Sequence, residues 1–304
     1  MDAGLGYQQQ VRLLLRTLPT IAEESSFALK GGTAINLFIR DLPRLSVDID
    51  LAYVEMDGRE IALSKIRSSL TRISEKIKTI NKVARVTKSF ETRPDSLKII
   101  VRENNIQIKI EVSPVIRGSV YPDSILEVKP SVEETFGYAS IKVQSFQDLY
   151  AGKLCAALDR QHPRDLFDVK ILLDNEGIDE KLKKAFLVYL MCHNRPIFEI
   201  LNPNRKEIEK VFQFEFLNMS NVKIEFKDLI ETRETMIAMI QKILTENDKK
   251  FLLSFKSLNP EWSYLGIPGV ENLPAVKWKL LNLEKVNNKK KDELFKRLEK
   301  FLAN

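Results

Sequence analysis

Histidine and cysteine are nearly absent from this 304-residue chain, which holds two of each. His162 and His193 have no partner at metal-ligand spacing, which argues against a histidine-built zinc site or a histidine-based hydrolase. Cys155 and Cys192 sit in apolar helical patterns, the setting of buried reduced thiols rather than of a disulfide framework. No apolar run approaches the roughly 20 residues that a membrane span requires. The opening MDAGLGYQQQVRLLLRTLPT has no basic stretch leading into an apolar core, so no secretory leader is expected and a cytoplasmic protein is the simple reading. Internal repeats and low-complexity segments are also lacking, apart from the lysines at 289–291. Any metal chemistry therefore falls to carboxylates.

What is present is ordinary globular material, 44% hydrophobic and 30% charged, long enough for two domains. The net charge of +6 is uneven, because residues 277–304 carry nine Lys or Arg against four acids. Such a segment either contacts phosphates or forms the solvated face of a terminal helix.

Periodicity supplies the elements. Residues 7–18 read as an amphipathic helix, Phe27 to Lys30 as a short strand entering Gly31-Gly32, and Thr33 to Ile39 as the start of a helix. In LSVDIDLA, Leu45, Val47, Ile49 and Leu51 alternate with Ser46, Asp48 and Asp50, the period-two pattern of a half-buried strand. Residues 60–80 switch to helical spacing through Ile66, Leu70, Ile73, Ile77 and Ile80. SLKIIVREN and NIQIKIEVSP flank Asn104-Asn105, so residues 96–113 predict two antiparallel strands and a tight turn. The phase of the second strand places Glu111 on the side opposite Ile110 and Val112, free to share a sheet face with Asp48 and Asp50. From Gln144 onward the pattern is mainly helical, which sets the domain boundary near residue 140.

Two aspartates at i and i+2 on a strand point the same way, and a third carboxylate from a neighbouring strand completes an oxygen cage suited to hard divalent cations. A glycine pair permits positive φ and lets main-chain amides approach an anion, while the helix that follows offers its N-terminus, with Thr33 adding a hydroxyl. Together these halves suit the phosphates and the metal of one nucleoside triphosphate.

The order strand, Gly-Gly turn, helix and DxD strand resembles the DNA polymerase β-like nucleotidyltransferase superfamily. More specifically, GGTAINLFIRDLPRLSVDIDL resembles the first motif of the AbiEii/AbiGii toxin family, which includes the MenT nucleotidyltransferases, with Arg44 and Ser46 just before the DxD. KLCAALDRQHPRDLFDV resembles that family's later motif, a lysine followed by R-D-x-x-D. The resemblance spans residues 27 to about 175. It implies that Asp48 and Asp50 are catalytic and hold Mg²⁺ or Mn²⁺, with Glu111 as third ligand. Gly31, Gly32, Thr33, Arg44, Ser46 and Lys153 would bind the nucleotide, and Asp165 or Asp168 would be a further essential acid. Arg160 and Arg164 would be helpers.

On the residues alone, Asp165 and Asp168 at i and i+3 of a helix face one side within reach of Lys153, and the same acids also suit a plain helix-starting charge cluster. Trp262, Tyr264 and Trp278 lie beside lysines, where aromatics either stack on bases or anchor a core. The expectation is an α/β (α+β) nucleotidyltransferase domain with a mixed sheet over residues 1–140, then a mainly helical domain over 141–304 that completes the active-site cleft. The resemblance implies a toxin that transfers a nucleoside monophosphate from an NTP to an acceptor, with tRNA expected, and that is neutralised by a separately encoded antitoxin. The alternatives are transfer to a protein or small molecule, or a non-catalytic module that binds RNA or antitoxin.

Overall fold

The computed structural model describes residues 3–303. Met1 and Asp2, at the head of the segment read for a leader, and Asn304, at the end of the basic segment, lie outside them. The chain forms two compact units, one built from residues up to Leu149 together with Gln213–Ile224, the other from Tyr150–Phe212 and Glu225 onward.

The first unit contains α1 (Ala3–Ala22), β1 (Phe27–Lys30), α2 (Gly31–Ala34), β2 (Asp48–Tyr53), α3 (Arg59–Ile80), β3 (Arg85–Lys88), β4 (Lys98–Glu103), β5 (Ile106–Val112), β6 (Ser124–Glu127), α4 (Pro130–Phe136) and β7 (Ser140–Val143). Its strands form one seven-stranded sheet in the order β3-β4-β5-β2-β1-β7-β6. The sheet is mixed, since β2 runs parallel to β5 and β1 parallel to β7, while the other neighbours are antiparallel. The chain turns from β4 to β5 at Asn104, whose φ of 52° is the left-handed conformation that asparagine tolerates.

Alternation decides which face is dry. Ile49, Leu51, Ile99, Val101, Ile108, Ile110 and Val112 are all buried, as are Ile66, Leu70, Ile73 and Ile77 along α3. α1 packs on β5 and β7 and beside α3, which in turn packs on β3 and β4. Each such side chain contributes about 1.5–3 kcal/mol on full burial. The residues between them, Asp48, Asp50, Lys109 and Glu111, are only half-buried.

β2 begins three residues later than alternation suggests. The Leu45 amide donates to the Met219 carbonyl at 2.7 Å, so its backbone is tied to the returning segment instead of to the sheet. α2 starts at Gly31 and runs into a five-residue π-helical turn, Ile35–Ile39.

The second unit is helical: α5 (Phe146–Arg160, which enters it at Tyr150), α6 (Pro163–Asn175), α7 (Glu180–Cys192), α8 (Ile197–Leu201), α9 (Glu209–Val211), α10 (Phe226–Ile243), α11 (Glu246–Lys256), α12 (Trp262–Leu265), α13 (Pro274–Glu284) and α14 (Asn288–Leu302). α10 packs on α6, and α11 and α13 pack on α7. Trp262 closes on Phe251 and Phe255 at ring-centroid distances of 5.7 and 6.2 Å, which makes it a core anchor. α14 buries only Leu298 and Leu302. Cys155 and Cys192 are buried free thiols, and burial pushes the Cys192 thiol up to about 12. Both histidines serve local backbone: His162 Nδ1 accepts from the Arg164 amide at the start of α6, and His193 Nδ1 accepts from the Arg195 amide.

Candidate active site

In the first unit, register assembles the charged face. Asp50 lies opposite Lys30 of β1 on one side and opposite Glu111 of β5 on the other, and Glu111 lies opposite Lys98 of β4. Asp48 lies opposite Lys109. Directly opposed residues share a face, so across four strands the adjacent acids Asp50 and Glu111 are flanked by Lys30 and Lys98. Glu111, placed beside Asp50 as its strand phase suggests, forms an ion pair with Lys109 at 2.9 Å. Burial alone would lower the Lys109 ammonium pKa, but Glu111, Asp48 and Asp50 outweigh it and raise the value. At Lys30 the balance reverses: burial lowers the pKa despite the pull of Asp50 and Glu111.

The glycine pair has a geometric reason. Gly31 has φ +73°, and a Cβ built there would lie 2.7 Å from Asp50 Oδ2. A Cβ on Gly32 would lie 2.8 Å from an Arg44 guanidinium nitrogen and 3.0 Å from Ser46 Oγ. The two glycines thus make room for the side chains that follow at Arg44, Ser46 and Asp50, which explains why these residue types occur together. Thr33 is buried and its hydroxyl donates to the Asp48 carbonyl, 3.0 Å from Ser46 Oγ, so it fastens the turn to β2. Asn36 Nδ2 donates to the Gly32 carbonyl at 2.9 Å.

Arg44 is 2% exposed and donates to the Leu45 carbonyl at 2.9 Å. Its loop is clamped by the returning segment, through the Arg44–Ser220 bridge and donation from the Asn221 side-chain amide to the Leu42 carbonyl at 2.9 Å. Nothing in the local pattern of residues 217–221 announces this contact, because it joins positions about 180 apart in sequence. Lys30 was equally hidden, since only strand pairing puts it across from Asp50.

In the second unit, Lys153 of α5 meets Asp165 and Asp168 of α6. Its Nζ lies 2.8 Å from Asp165 Oδ1 and 2.8 Å from Asp168 Oδ2, with all three residues buried. Arg160, largely exposed, adds a bidentate contact to Asp165, including Nη2 to Oδ1 at 2.9 Å. Burial would raise the Asp165 pKa, but the Lys153 charge and the Arg160 hydrogen bonds override it and hold the carboxyl far below its usual range. Arg164 is half-buried.

The model of the family described as "Nucleotidyl transferase AbiEii toxin, Type IV TA system" matches residues 12–282. The chain belongs to the AbiEii nucleotidyltransferase toxin family. Among solved structures it is similar to MenT4, a nucleotidyltransferase toxin from Mycobacterium tuberculosis H37Rv, with a TM-score of 0.61 at 14% identity over 92% of this chain and 94% of that one. At that identity the likeness bears on the fold, a mixed sheet with many helices. No curated protein matches the sequence.

AbiEii enzymes are nucleotidyltransferases, and enzymes of that class use NTPs and generally divalent cations. The donor set fits a hard cation at Asp48 and Asp50, two half-buried carboxylates on one strand face, with Gly31 leaving space beside Asp50. Glu111 would have to exchange Lys109 for the cation. Among the described residues no three acids, histidines or cysteines stand at metal-holding spacing.

Proposed function

We propose that this AbiEii enzyme transfers a nucleoside monophosphate from an NTP to an acceptor hydroxyl, with tRNA as the acceptor. The observation that carries the reading is the Asp50 carboxylate packed against Gly31, where a positive-φ glycine turn and a carboxylate pair share one corner of the sheet. Asp48 and Asp50 would hold Mg²⁺ or Mn²⁺ with Glu111 as further ligand, and the bound cation would offset negative charge on the triphosphate. Gly31 and Gly32 would bring main-chain amides close to the phosphates, and Arg44 and Ser46, packed on Gly32, would fix that turn. The acceptor hydroxyl oxygen then bonds to the α-phosphorus and loses its proton to solvent, the bond to the bridging oxygen breaks and pyrophosphate leaves, so catalysis is mainly positioning and electrostatics. Lys153 is assigned to the phosphates, with Asp165 and Asp168 as the acids that orient it and Arg160 and Arg164 as helpers.

The net charge of +6 is compatible with a nucleic-acid acceptor. No helix among the described residues is long and apolar enough to cross a membrane, and we assign the activity to the cytoplasm, where NTPs and tRNA are found. Family membership supports a toxin counteracted by a separately encoded antitoxin.

The test is incubation of purified protein with Mg²⁺ and each radiolabelled NTP, with and without total tRNA, beside Asp48→Ala. Label entering tRNA only with the intact chain supports the reading and identifies the nucleotide. Label on the protein or on a small molecule moves the acceptor, and no transfer to any of them overturns the enzymatic reading in favour of a binding module.

A further inference from the structure

Lys30 ends β1 immediately before the glycine pair, directly opposite Asp50, which is itself opposite Glu111. It is half-buried, and Asp50 and Glu111 are the acids whose charge it feels. Of the lysines on this face, Lys109 is already committed to Glu111 at 2.9 Å, and Lys98 is opposite Glu111 on the far side of β5. Among the described residues, no hydrogen bond or ion pair closes on the Lys30 ammonium, although it lies in the field of two carboxylates. The next residue, Gly31, has no side chain to crowd the Asp50 carboxylate.

Carboxylates on one strand face repel one another, and a lysine embedded beside them screens that repulsion when no metal is bound. The same positive charge opposes a divalent cation arriving at those acids.

We propose that Lys30 is a positioning residue of the acid pair: a built-in counter-charge that holds Asp50 and Glu111 in place without metal and thereby sets how tightly Asp48 and Asp50 take a divalent cation. The proposal rests on the reading of this face as the metal-holding part of a nucleotidyltransferase. It makes the metal affinity of the free protein deliberately weak. Tight loading then requires the triphosphate, whose own negative charge restores the attraction that Lys30 removes.

The experiment measures Mn²⁺ binding to the full-length chain without nucleotide, by the electron paramagnetic resonance signal of free Mn²⁺, for the wild type, Lys30→Met and Lys30→Arg. A thermal melt of each is recorded with and without Mn²⁺. Removing the positive charge of a side chain directly across from Asp50 is worth about tenfold in dication affinity even at the dielectric of water, and more at the lower effective dielectric of a protein surface. Lys30→Met is therefore expected to bind Mn²⁺ at least about tenfold more tightly, to melt lower without metal, and to gain more melting temperature from Mn²⁺ than the wild type does. Lys30→Arg, which keeps the charge, is expected to stay within about threefold of wild type.

Equal or weaker Mn²⁺ binding by Lys30→Met, with binding intact in the wild type, overturns the role of Lys30 and leaves the proposed function standing. No Mn²⁺ binding by either the wild type or Lys30→Met, both folded, removes the cation from that function and Lys30's role with it, whereas binding by Lys30→Met alone supports the proposal. If Lys30→Met is unfolded without metal, folding on Mn²⁺ addition supports the proposal, and failure to fold shows a purely structural lysine and overturns it.

Discussion

Gly31 carries two constraints at once, a φ of +73° and an Asp50 carboxylate oxygen where its Cβ would be. Gly31→Ala is therefore expected to cost about 1–2 kcal/mol from backbone conformation, with a further loss from the displaced carboxylate. Transferase activity should fall by more than this stability loss explains, because Asp50 moves; thermal melts and labelled transfer measured on the same preparation check both parts. Asp48→Ala and Asp50→Ala should behave differently. Each side chain is half-buried on a face of mixed charge, Asp48 opposite Lys109 and Asp50 between Lys30 and Glu111, so removing one trades a lost attraction to a partly solvated lysine against relieved repulsion between acids and should leave the melting temperature within a few degrees. Activity should drop by about a hundredfold or more. A variant that keeps transferring nucleotide would take that aspartate out of the chemistry.

At the scale of elements, the Lys153–Asp165–Asp168 network between α5 and α6 contrasts with the sheet acids, because it is buried. Asp165→Ala leaves the Lys153 ammonium with one buried carboxylate in place of two, and removes the Arg160 contact to Asp165. Breaking a buried ionic network typically costs about 3–5 kcal/mol, to be read from urea unfolding. The pH dependence has a definite sign. Asp165 is held far below its usual range in the folded chain, while the unfolded carboxyl sits near about 4. Its contribution is therefore complete above about pH 4 and is lost as pH falls below that toward the lowered value. Asp165→Asn should remove that part of the acid sensitivity, measured as unfolding free energy between pH 6 and 3.

These elements also mark how much the sequence disclosed. Strict alternation in LSVDIDLA and NIQIKIEV was sufficient to put Asp48, Asp50 and Glu111 on one face, because a strand has a period of two and its apolar residues leave no choice of side. The Asn104-Asn105 turn was equally legible. The packing of Arg44 on Gly32, the cross-strand place of Lys30 and the return of residues 217–221 to the Arg44 loop were not, since each depends on pairing between segments that no local pattern encodes. The division of the chain shows the same limit: helical periodicity begins near Gln144, whereas the compact units part between Leu149 and Tyr150, with Gln213–Ile224 joining the first.

Across the whole molecule the charge of +6 is concentrated toward the end of the chain, and α14 decides what that concentration means. Lys289, Lys290 and Lys291 occupy its first turn, where no acid is present and where the positive end of the helix dipole lies. Cations there are unfavourable by about 0.3–1 kcal/mol each, and the helix is fastened by Leu298 and Leu302, by Arg297 over the Phe198 ring at 4.3 Å, by Lys291 Nζ donating to the Glu284 carbonyl at 3.0 Å and by its Asn287 cap, whose side chain accepts from the Lys290 amide at 2.9 Å. Lys291 is held by the Glu284 carbonyl, so the variant to make replaces Lys289 and Lys290 by alanine, the best helix former, which should stabilise the transition that includes α14 by about 1 kcal/mol. If these lysines are a solvated face, tRNA binding should keep its salt dependence to within experimental error. If they grip phosphates, the slope of log K against log salt should flatten by about 2, one for each contact removed. The exposed, dipole-opposed placement of Lys289 and Lys290 favours the first outcome, so the double variant is expected to melt higher and to transfer nucleotide at the wild-type rate to within about twofold.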